Sequence, residues 1–304
     1  MSTFRTDLAS ELRTHAMRIY TEQHRGEPDG VICREKELEN GITESRIEIV
    51  NKEGEQAIGK PMGTYLTLFF PPAPSLDYET FGTLTRLLSE RIKSLCGEMV
   101  QKTDRVLFCG LGNREITPDA LGPMAADRVL ATHHLLVSDP ETFSAVGFSD
   151  VAVFAPGVMA QTGMEALDLI AAAAEKLRPD LIIAVDALCA RDPERLSRTV
   201  QLSTTGIAPG SGIGNLRGAL NKDTLGTPVL GLGIPTVIEG ATMVRDAMAD
   251  RPEEEQQKAA EKLAGLFVAP KDADLSIRLL SSVVGDAVNT AFQDGLSAEE
   301  MAMM

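Results

Sequence analysis

Cysteine and histidine are scarce in this sequence of 304 residues, which contains four of each. The cysteines (Cys33, Cys96, Cys109 and Cys189) are far apart, form no Cys-x-x-Cys pair and have no histidine nearby at the spacing of a metal site. A zinc site or a disulfide framework is therefore not expected, and widely scattered reduced thiols are typical of a cytosolic protein.

Positive charge is also in short supply. The chain has 29 Lys and Arg against 44 Asp and Glu, which gives a formal net charge of −15. A nucleic-acid-binding protein needs a cationic face, so direct binding to nucleic acid is not expected. An acidic surface attracts basic partners, including basic proteins. It also keeps a protein in solution, and the charge alone does not decide between these two roles.

Long apolar runs are absent as well. No segment reaches the roughly 20 apolar residues that span a bilayer, and the first residues lack the apolar core of a secretory signal. We therefore expect a soluble chain. Its composition, 43% hydrophobic and 24% charged, is that of a folded protein with a real core. The length allows one large α/β domain or two smaller ones.

Short apolar runs followed by helical patterns indicate the fold class. Nearly continuous apolarity is typical of strands that are covered on both faces, as in a parallel sheet. Helical patterns lie at residues 123–136 and 159–177, and a final helix is predicted over 274–292. The alternation predicts an α/β fold of three layers, α/β/α, around a mostly parallel sheet. The predicted strands are residues 105–109, 151–155, 181–185 and 228–232.

The two ends of this pattern differ from its middle. Residues 11–24 predict a helix, and residues 31–35, 46–50 and 65–70 predict strands that form an N-terminal antiparallel extension of the same domain. Residues 250–273 are polar and charged and predict a solvated peripheral segment. We therefore expect a single domain over residues 1–304.

The candidate site follows from where the predicted strands end. Ligands of open parallel sheets bind beyond the carboxyl ends of the strands. Asp119 lies in the loop after the first parallel strand, and Asp186 directly follows the third. An ionised aspartate after five apolar residues is partly desolvated and needs a partner. Two carboxylates that meet in a cleft can share a proton, so that one activates water while the other protonates a leaving group.

Each aspartate also has an ordinary structural explanation. Asp186 could cap a helix or form a salt bridge with Arg191, and Asp119 could stabilise the first turn of a helix. At this level the structural and catalytic interpretations are equally open. Neither residue lies in the Asp-Thr-Gly or Asp-Ser-Gly motif of pepsin-like proteases.

Glycine-rich segments at the strand exits predict a cleft lined by backbone. Gly110-Leu-Gly112 fails as a dinucleotide fingerprint because Glu115 holds the third glycine position, and residues 206–215 lack the ending of a phosphate-binding P-loop. The latter segment could still donate backbone N–H groups to an oxyanion. His133 and His134 are expected to serve packing or the surface. The candidate cleft residues are Gly112, Asn113, Pro156, Gly157, Gly210, Ser211 and Gly212.

Several of these segments together resemble the germination protease of spore-forming bacteria, an atypical aspartic endopeptidase family. They occur in the family's order along nearly the whole chain. They are Arg-Thr-Asp-Leu-Ala-Ser-Glu (5–11), Glu-Gln-Ala-Ile-Gly (55–59), Gly-Leu-Gly-Asn (110–113), Thr-Pro-Asp-Ala-Leu-Gly-Pro (117–123), Pro-Gly-Val-Met (156–159), Ile-Ala-Val-Asp-Ala-Leu (183–188), Pro-Gly-Ser-Gly-Ile-Gly-Asn (209–215) and Gly-Ile-Pro-Thr (233–236).

The resemblance implies a set of expectations about fold and function. It implies a fold like that of hydrogenase-maturation proteases and phosphorylases, and Asp119 and Asp186 as the catalytic pair without a metal or cofactor. It implies small acid-soluble spore proteins as substrates in the cytoplasm of the spore core. It also implies a homotetrameric zymogen that removes residues 1–7 as a propeptide by cutting the Asp7–Leu8 bond.

Two other interpretations of the function of these residues remain. Gly110-Leu-Gly-Asn113 with a later aspartate is also similar to nickel-dependent hydrogenase-maturation endopeptidases, although no histidine follows a strand at the corresponding place. A non-catalytic binding module could use the same glycine-rich cleft. The region between Gly233 and the final helix is shorter than expected for Bacillus members, which bears on peripheral helices and oligomer contacts.

Overall fold

A computed structural model describes residues 5–22, 28–210, 218–293 and 295–296 of the chain. In these residues one mixed sheet carries helices on both faces. The strands are β1 (Val31–Glu37), β2 (Thr43–Ile49), β3 (Gly63–Phe69), β4 (Arg105–Gly110), β5 (Asp150–Phe154), β6 (Leu181–Ala190), β7 (Thr199–Ser203), β8 (Val229–Glu239) and β9 (Phe267–Val268).

The helices alternate with these strands. They are α1 (Ala9–Glu22), α2 (Lys52–Ile58), α3 (Tyr78–Met99), α4 (Leu121–Ala126), α5 (His133–Ser138), α6 (Pro140–Val146), α7 (Met159–Thr162), α8 (Ala166–Leu177), α9 (Lys222–Leu225), α10 (Gly240–Ala247), α11 (Glu253–Glu261) and α12 (Ala273–Phe292). Short 3₁₀ turns lie at Glu39–Gly41, Ala73–Ser75, Thr117–Asp119 and Pro193–Arg195.

The strand order confirms the predicted fold class. The sheet runs β1-β2-β3-β7-β8-β6-β4-β5, and β9 adds to β8. Strands β8, β6, β4 and β5 are parallel to one another and form the centre of the α/β fold. Strands β1 to β3 form the predicted antiparallel extension, which joins the sheet through β7.

Strand β4 illustrates why the central strands are apolar on both faces. Val106 and Phe108 point into a core shared with α3 and α12, whereas Leu107 and Cys109 point into a second core with Ile170 of α8. Alternate residues of a strand face opposite sides of the sheet, so both sets are buried. The three-layer architecture follows from this double burial.

Two central strands are longer than predicted, and this changes the setting of Asp186. Strand β6 continues through Asp186 to Ala190, and β8 continues through Gly233 to Glu239. Residues 187–190 are apolar and contain no glycine or proline that would end the strand. Pro235 is accommodated within β8 because the pairing with β6 shifts register next to it, between Leu188 and Cys189. Asp186 therefore lies inside a strand and does not follow one.

The predicted helices 123–136 and 159–177 are each interrupted. The helix predicted over residues 123–136 is divided into α4 and α5. The residues between them, 127–132, form backbone hydrogen bonds with other parts of the fold. Leu130 N–H donates to Asn289 on α12, and Thr132 N–H donates to the carbonyl of Val151. The second breaks at Gly163, which has a φ of 74° and ends α7. The prediction for residues 11–24 extends beyond α1 into residues outside the described part of the chain.

Helix α3 and strand β7 were not predicted. Asp77 caps α3 by accepting a hydrogen bond from Thr80 N–H, and Leu84, Leu88, Ile92 and Leu95 form its buried face. This is an ordinary helical signal.

Within the described ranges, no helix has the length and apolarity needed to cross a membrane.

Candidate active site

The carboxyl ends of the central parallel strands open into a cavity of about 450 Å³. Its wall includes Asp119 from the loop after β4 and Asp186 from β6, so the two predicted carboxylates line the same space. Gly157 and Gly210 also line it, together with Thr236 of β8. The position agrees with the rule that parallel sheets bind ligands at this edge.

The loop that carries Asp119 is held by its own side chain. Asp119 Oδ2 accepts a hydrogen bond from Asn113 N–H at 2.7 Å, and Asp119 N–H donates to the carbonyl of Ile116. Thr236 Oγ1 donates to the carbonyl of Pro118 at 2.7 Å, which ties the loop to β8. The carboxylate of Asp119 thus binds the backbone at the exit of β4.

Glycines allow this loop to approach the sheet closely. A Cβ atom on Gly122 would lie 2.2 Å from the carbonyl oxygen of Leu111 and 2.6 Å from that of Val185. A Cβ atom on Gly110 would lie 2.2 Å from the carbonyl oxygen of Gly122. Gly112 has a φ of 114° and borders the backbone of Asp119. These contacts place the Asp119 loop directly against the ends of β4 and β6.

Asp186 is buried, with 5% of its surface exposed, and its Oδ1 accepts a hydrogen bond from Ala187 N–H at 2.9 Å. Its position inside β6, opposite Gly233 of β8, excludes the helix-cap role. Arg191 forms a salt bridge with Asp246, with Nε 2.7 Å from Oδ2. Asp186 is thus buried and Asp119 is half-exposed, and both line the same cavity.

The remaining predicted cleft residues divide into three groups. Gly112, Gly157 and Gly210 line the cavity. Asn113 and Pro156 do not line it; Asn113 instead holds the carboxylate of Asp119 and accepts a hydrogen bond from Gln161 Nε2 at 2.8 Å. Ser211 and Gly212 lie outside the described residues.

The N-terminal segment lies at the same cavity. Asp7 is part of the cavity wall, its N–H donates to the carbonyl of Cys189, and its Oδ2 accepts from Cys189 N–H, both at 2.9 Å. Leu8 is fully buried among Leu188, Ala190 and Ile238. Asp7 is therefore held at the cavity wall, and Leu8 packs next to it against Leu188.

Sequence reasoning missed other residues at the cavity. Phe267 and Ala269 belong to the segment predicted to be polar and peripheral, yet both line the cavity because Phe267 pairs with Glu239 of β8. The aromatic side chain of Phe267 within a charged stretch was the sequence feature that could have indicated this position. Lys60, which lines an adjoining cavity of about 100 Å³ together with Asp7, gave no local signal.

The four cysteines are poorly suited to act as nucleophiles. Burial raises the pKa of the Cys189 thiol to about 12, and the nearby carboxylate of Asp7 adds to this effect. Burial likewise raises the pKa of Cys33, Cys96 and Cys109. A reactive cysteine needs the opposite shift. His133 Nδ1 lies 2.8 Å from Asp150 Oδ1 at the start of β5, the edge of the sheet opposite to the cavity.

Among the residues that the structure describes, no transition-metal site is evident at the cavity. Across residues 5–22, 28–210, 218–293 and 295–296, His, Cys, Asp and Glu side chains form no group of three or more that could hold a metal ion. Two carboxylates alone make a weak site for nickel or zinc.

A larger groove of about 670 Å³ lies elsewhere, beside α1 and the antiparallel extension. Its charged side chains pair with one another, including Lys36 with Glu44 at 3.1 Å and Arg198 with Glu194 at 2.5 Å. We place the candidate active site in the smaller cavity because the central strands end there and both carboxylates face it.

Comparisons with known proteins agree on one family. The family model described as germination protease matches residues 8–250. The germination protease of Clostridium perfringens is 34% identical over 99% of this chain and 98% of its own length. That of Caldanaerobacter subterraneus is 35% identical over 98% and 96%. The Bacillus subtilis germination protease is 42% identical, but over 80% of this chain and 66% of its own length.

Among the solved structures that match is the [NiFe] hydrogenase maturation protease HycI of Thermococcus kodakarensis. It is 18% identical, covers 64% of this chain and 99% of its own, and has a TM-score of 0.34.

The close backbone contacts around Gly122 generate a stability prediction. We expect Gly122→Ala to lower the free energy of unfolding by at least about 2 kcal/mol, because its Cβ meets backbone atoms that have no room to move. Urea denaturation of the variant and the wild type measures the difference in their free energies of unfolding. The matched control is Gly82→Ala on the exposed side of α3, where the new Cβ meets nothing within 4 Å and should stabilise the helix by about 0.5–1 kcal/mol. Equal stability of the Gly122 variant and the wild type would contradict the account.

Proposed function

This chain belongs to the germination protease family, and we propose that it is an endopeptidase that cleaves small acid-soluble spore proteins with Asp119 and Asp186 as an aspartic catalytic pair. Membership of the family establishes a peptidase. The observation that carries the proposed mechanism is that both carboxylates line one cavity, which the chain's own Asp7 also borders.

The pair would act by sharing one proton. The ionised carboxylate removes a proton from water as the water oxygen bonds to the peptide carbonyl carbon. The protonated carboxyl group then gives its proton to the leaving nitrogen as the C–N bond breaks. The products are a new carboxyl group and a new amine, and the catalytic pair again holds one proton. The buried environment of Asp186 strengthens its electrostatic interactions with the reacting groups.

The proposed substrates suit the charge of the enzyme. Small acid-soluble spore proteins are basic to neutral, and a chain of net charge −15 attracts such proteins by long-range electrostatics. We propose that the enzyme acts in the cytoplasm of the spore core, as the family resemblance implies.

We expect Asp119→Asn and Asp186→Asn each to reduce peptide cleavage by at least about 1,000-fold, and the double variant to lose little more. Residues that act as one unit show this non-additivity. Cleavage of a spore-protein substrate, followed by mass spectrometry, measures it, with circular dichroism to verify folding. Full activity in either folded single variant would refute the pair.

A chelator provides the control for this experiment. The proposed pair needs no metal, so exhaustively chelated wild-type enzyme should keep its activity. Loss of activity on chelation and recovery with nickel would favour a metal-dependent peptidase instead.

The N-terminal segment supports a proposal of self-processing. The peptide bond between Asp7 and Leu8 is held by hydrogen bonds on both sides: the Asp7 carbonyl accepts from Gln201 Nε2 at 3.3 Å, and Leu8 N–H donates to Thr6 Oγ1 at 3.0 Å. We propose that the chain is made as a zymogen with residues 1–7 as its propeptide.

Incubation of the full chain at mildly acidic pH, where a carboxylate pair holds its shared proton, should therefore remove residues 1–7. Intact-mass spectrometry measures the loss. Asp186→Asn should keep its full length under the same conditions. A wild-type protein that cleaves substrate yet never loses these residues would refute the zymogen.

We also propose a homotetramer, as the family resemblance implies. Strand β1 is an outer strand with unpaired backbone groups, and Ile32 on it is 41% exposed, so a partner could cover this edge. Static light scattering should return four times the mass of one chain at working concentration. A mass equal to that of one chain would reject the tetramer.

A further inference from the structure

Strand β9 forms part of the rim of the catalytic cavity. Phe267 lines the cavity, and so does Ala269, the residue after the strand. Phe267 pairs with Glu239, which is the last residue of β8. This pairing holds β9 at the carboxyl end of β8, the edge of the sheet at which the cavity opens. A backbone segment with strand geometry is therefore fixed beside the proposed catalytic pair.

The register of the pairing decides which backbone groups of β9 face outwards. Gly240 N–H donates to the carbonyl of Leu266 at 2.8 Å, so these two residues form a hydrogen-bonded pair. Hydrogen-bonded and non-hydrogen-bonded pairs alternate in an antiparallel ladder, and the next pair is Phe267 with Glu239. The N–H and C=O groups of Phe267 therefore point away from β8.

The outer edge of β9 is unpaired. In the part of the chain that the structure describes, β8 is the one strand that pairs with β9, and the backbone of Phe267 makes no backbone–backbone hydrogen bond outside that ladder. The side chains along the edge are apolar, and Leu266, Phe267 and Val268 are 56%, 40% and 42% exposed. Apolar side chains next to unpaired backbone groups are features of a site that binds an extended polypeptide as an added strand.

A second groove, of about 350 Å³, shares part of this wall. Val268 and Ala269 line it, and Ala269 lines the catalytic cavity as well. Ser276 of α12 is fully buried at the groove, and among the described residues its hydroxyl has no hydrogen-bond partner. A polar group of a bound polypeptide would supply that partner. Four prolines also line the groove: Pro72, Pro74, Pro193 and Pro270.

We propose that β9 is the strand on which the protein substrate docks: an extended segment of the substrate pairs with the outer N–H and C=O groups of Phe267 and continues into the groove at Ser276. This role of β9 presupposes the proposed peptidase function and adds the mode of substrate binding to it. Backbone pairing aligns the segment with the cavity whatever its side chains are. The substrates that fit are proteins with unpaired backbone, since a folded helix or strand already uses its own N–H and C=O groups.

The test uses peptides in which single amide bonds are replaced by esters. The parent peptide comes from a spore-protein substrate and extends several residues to each side of the bond that the wild-type enzyme cuts. An ester removes one N–H group without added bulk, and the cut bond itself is left as an amide. Since a strand directs its backbone groups to one neighbour at every second residue, kcat/KM should fall by at least about 5-fold at alternate positions and stay unchanged between them.

Two substitutions of Phe267 locate the pairing on β9. Proline removes the outward N–H group and is tolerated at an edge, so Phe267→Pro should bring the ratio of kcat/KM between the parent and the sensitive ester peptide close to one. The matched control is Phe267→Ala, which removes the same side chain from the cavity wall but keeps the N–H group. It should lower kcat/KM for both peptides and preserve their ratio. Circular dichroism verifies that both variants fold.

The failure of this proposal and that of the peptidase proposal are distinguishable. A wild type that does not cleave the parent peptide rejects the peptidase proposal itself. Cleavage with no sensitivity to esters, or with equal sensitivity at adjacent positions, rejects only the strand pairing. A folded Phe267→Pro enzyme with the wild-type ratio, or a Phe267→Ala enzyme that loses the ratio, shows that the backbone of β9 is not the partner.

The groove has a test of its own. Ser276→Ala removes a buried hydroxyl without a partner, so it should not destabilise the fold, but it should lower kcat/KM for the parent peptide by about 3-fold or more. The control is Ser282→Ala on the same helix, where the hydroxyl donates to the carbonyl of Arg278 at 3.0 Å. It should leave kcat/KM unchanged. Equal activity of Ser276→Ala and the wild type would reject the groove as part of the site.

Hydrogen exchange provides a measurement that needs no proline variant. The Asp186→Asn enzyme, which the proposed mechanism makes inactive, is saturated with the parent peptide, and the anisotropy of a labelled peptide verifies saturation. Exchange of the Phe267 N–H should slow by at least about 10-fold, because that group gains a partner. Unchanged exchange in the saturated enzyme rejects the pairing. Exchange that is already slow without peptide and accelerates on dilution would show that a second copy of the chain covers β9, which also rejects it.

Discussion

The close approach between the end of β4 and the first turn of α4 governs the geometry of the whole site. Gly110 and Gly122 bring backbone against backbone, with no side chain between them, and this sets the distance from the Asp119 loop to β6. Asn113 N–H then fixes the carboxylate of Asp119, and Thr236 ties Pro118 to β8. A single added methyl group would act on three neighbouring segments at once, since the carbonyls of Leu111 and Val185 both contact Gly122.

The second constraint is the desolvation of charge. Asp7, Asp186 and Glu11 are all buried polar groups at or near the cavity, and each is held by backbone N–H groups from β6 or the residues that follow it. Burial raises the pKa of Glu11, whereas hydrogen bonds from Thr6, Arg191 and Asp192 lower it. A carboxylate inside a protein is stable only with such donors. Strand β6 therefore carries Asp186 of the proposed catalytic pair and, through Cys189, also anchors the N-terminal segment.

The sequence was informative where the signal was local. The apolar runs of β4 and β6 predicted a buried parallel sheet, and the exits of those strands indicated where Asp119 and Asp186 meet in one cavity. The continuation of β6 past Asp186 was missed because a charged residue looks like the end of a buried strand. Lys60 was missed because other residues that line its cavity, including Asp7, are far away in the chain. The polar segment 250–273 concealed Phe267, since the pairing of β9 with β8 depends on tertiary structure.

The four thiols described above differ in what covers them. Cys33 is half-buried on the outer strand β1, Cys189 lies under the hydrogen-bonded Asp7, and Cys96 and Cys109 belong to the two cores on either side of the sheet. Local opening of a protein costs less free energy at its edges than in its core. An alkylating reagent would therefore meet Cys33 first, Cys189 when the N-terminal segment detaches, and the other two only when the domain unfolds. The rate at which Cys189 is alkylated would therefore measure the release of the N-terminal segment. The rates at Cys96 and Cys109 would measure unfolding of the domain separately.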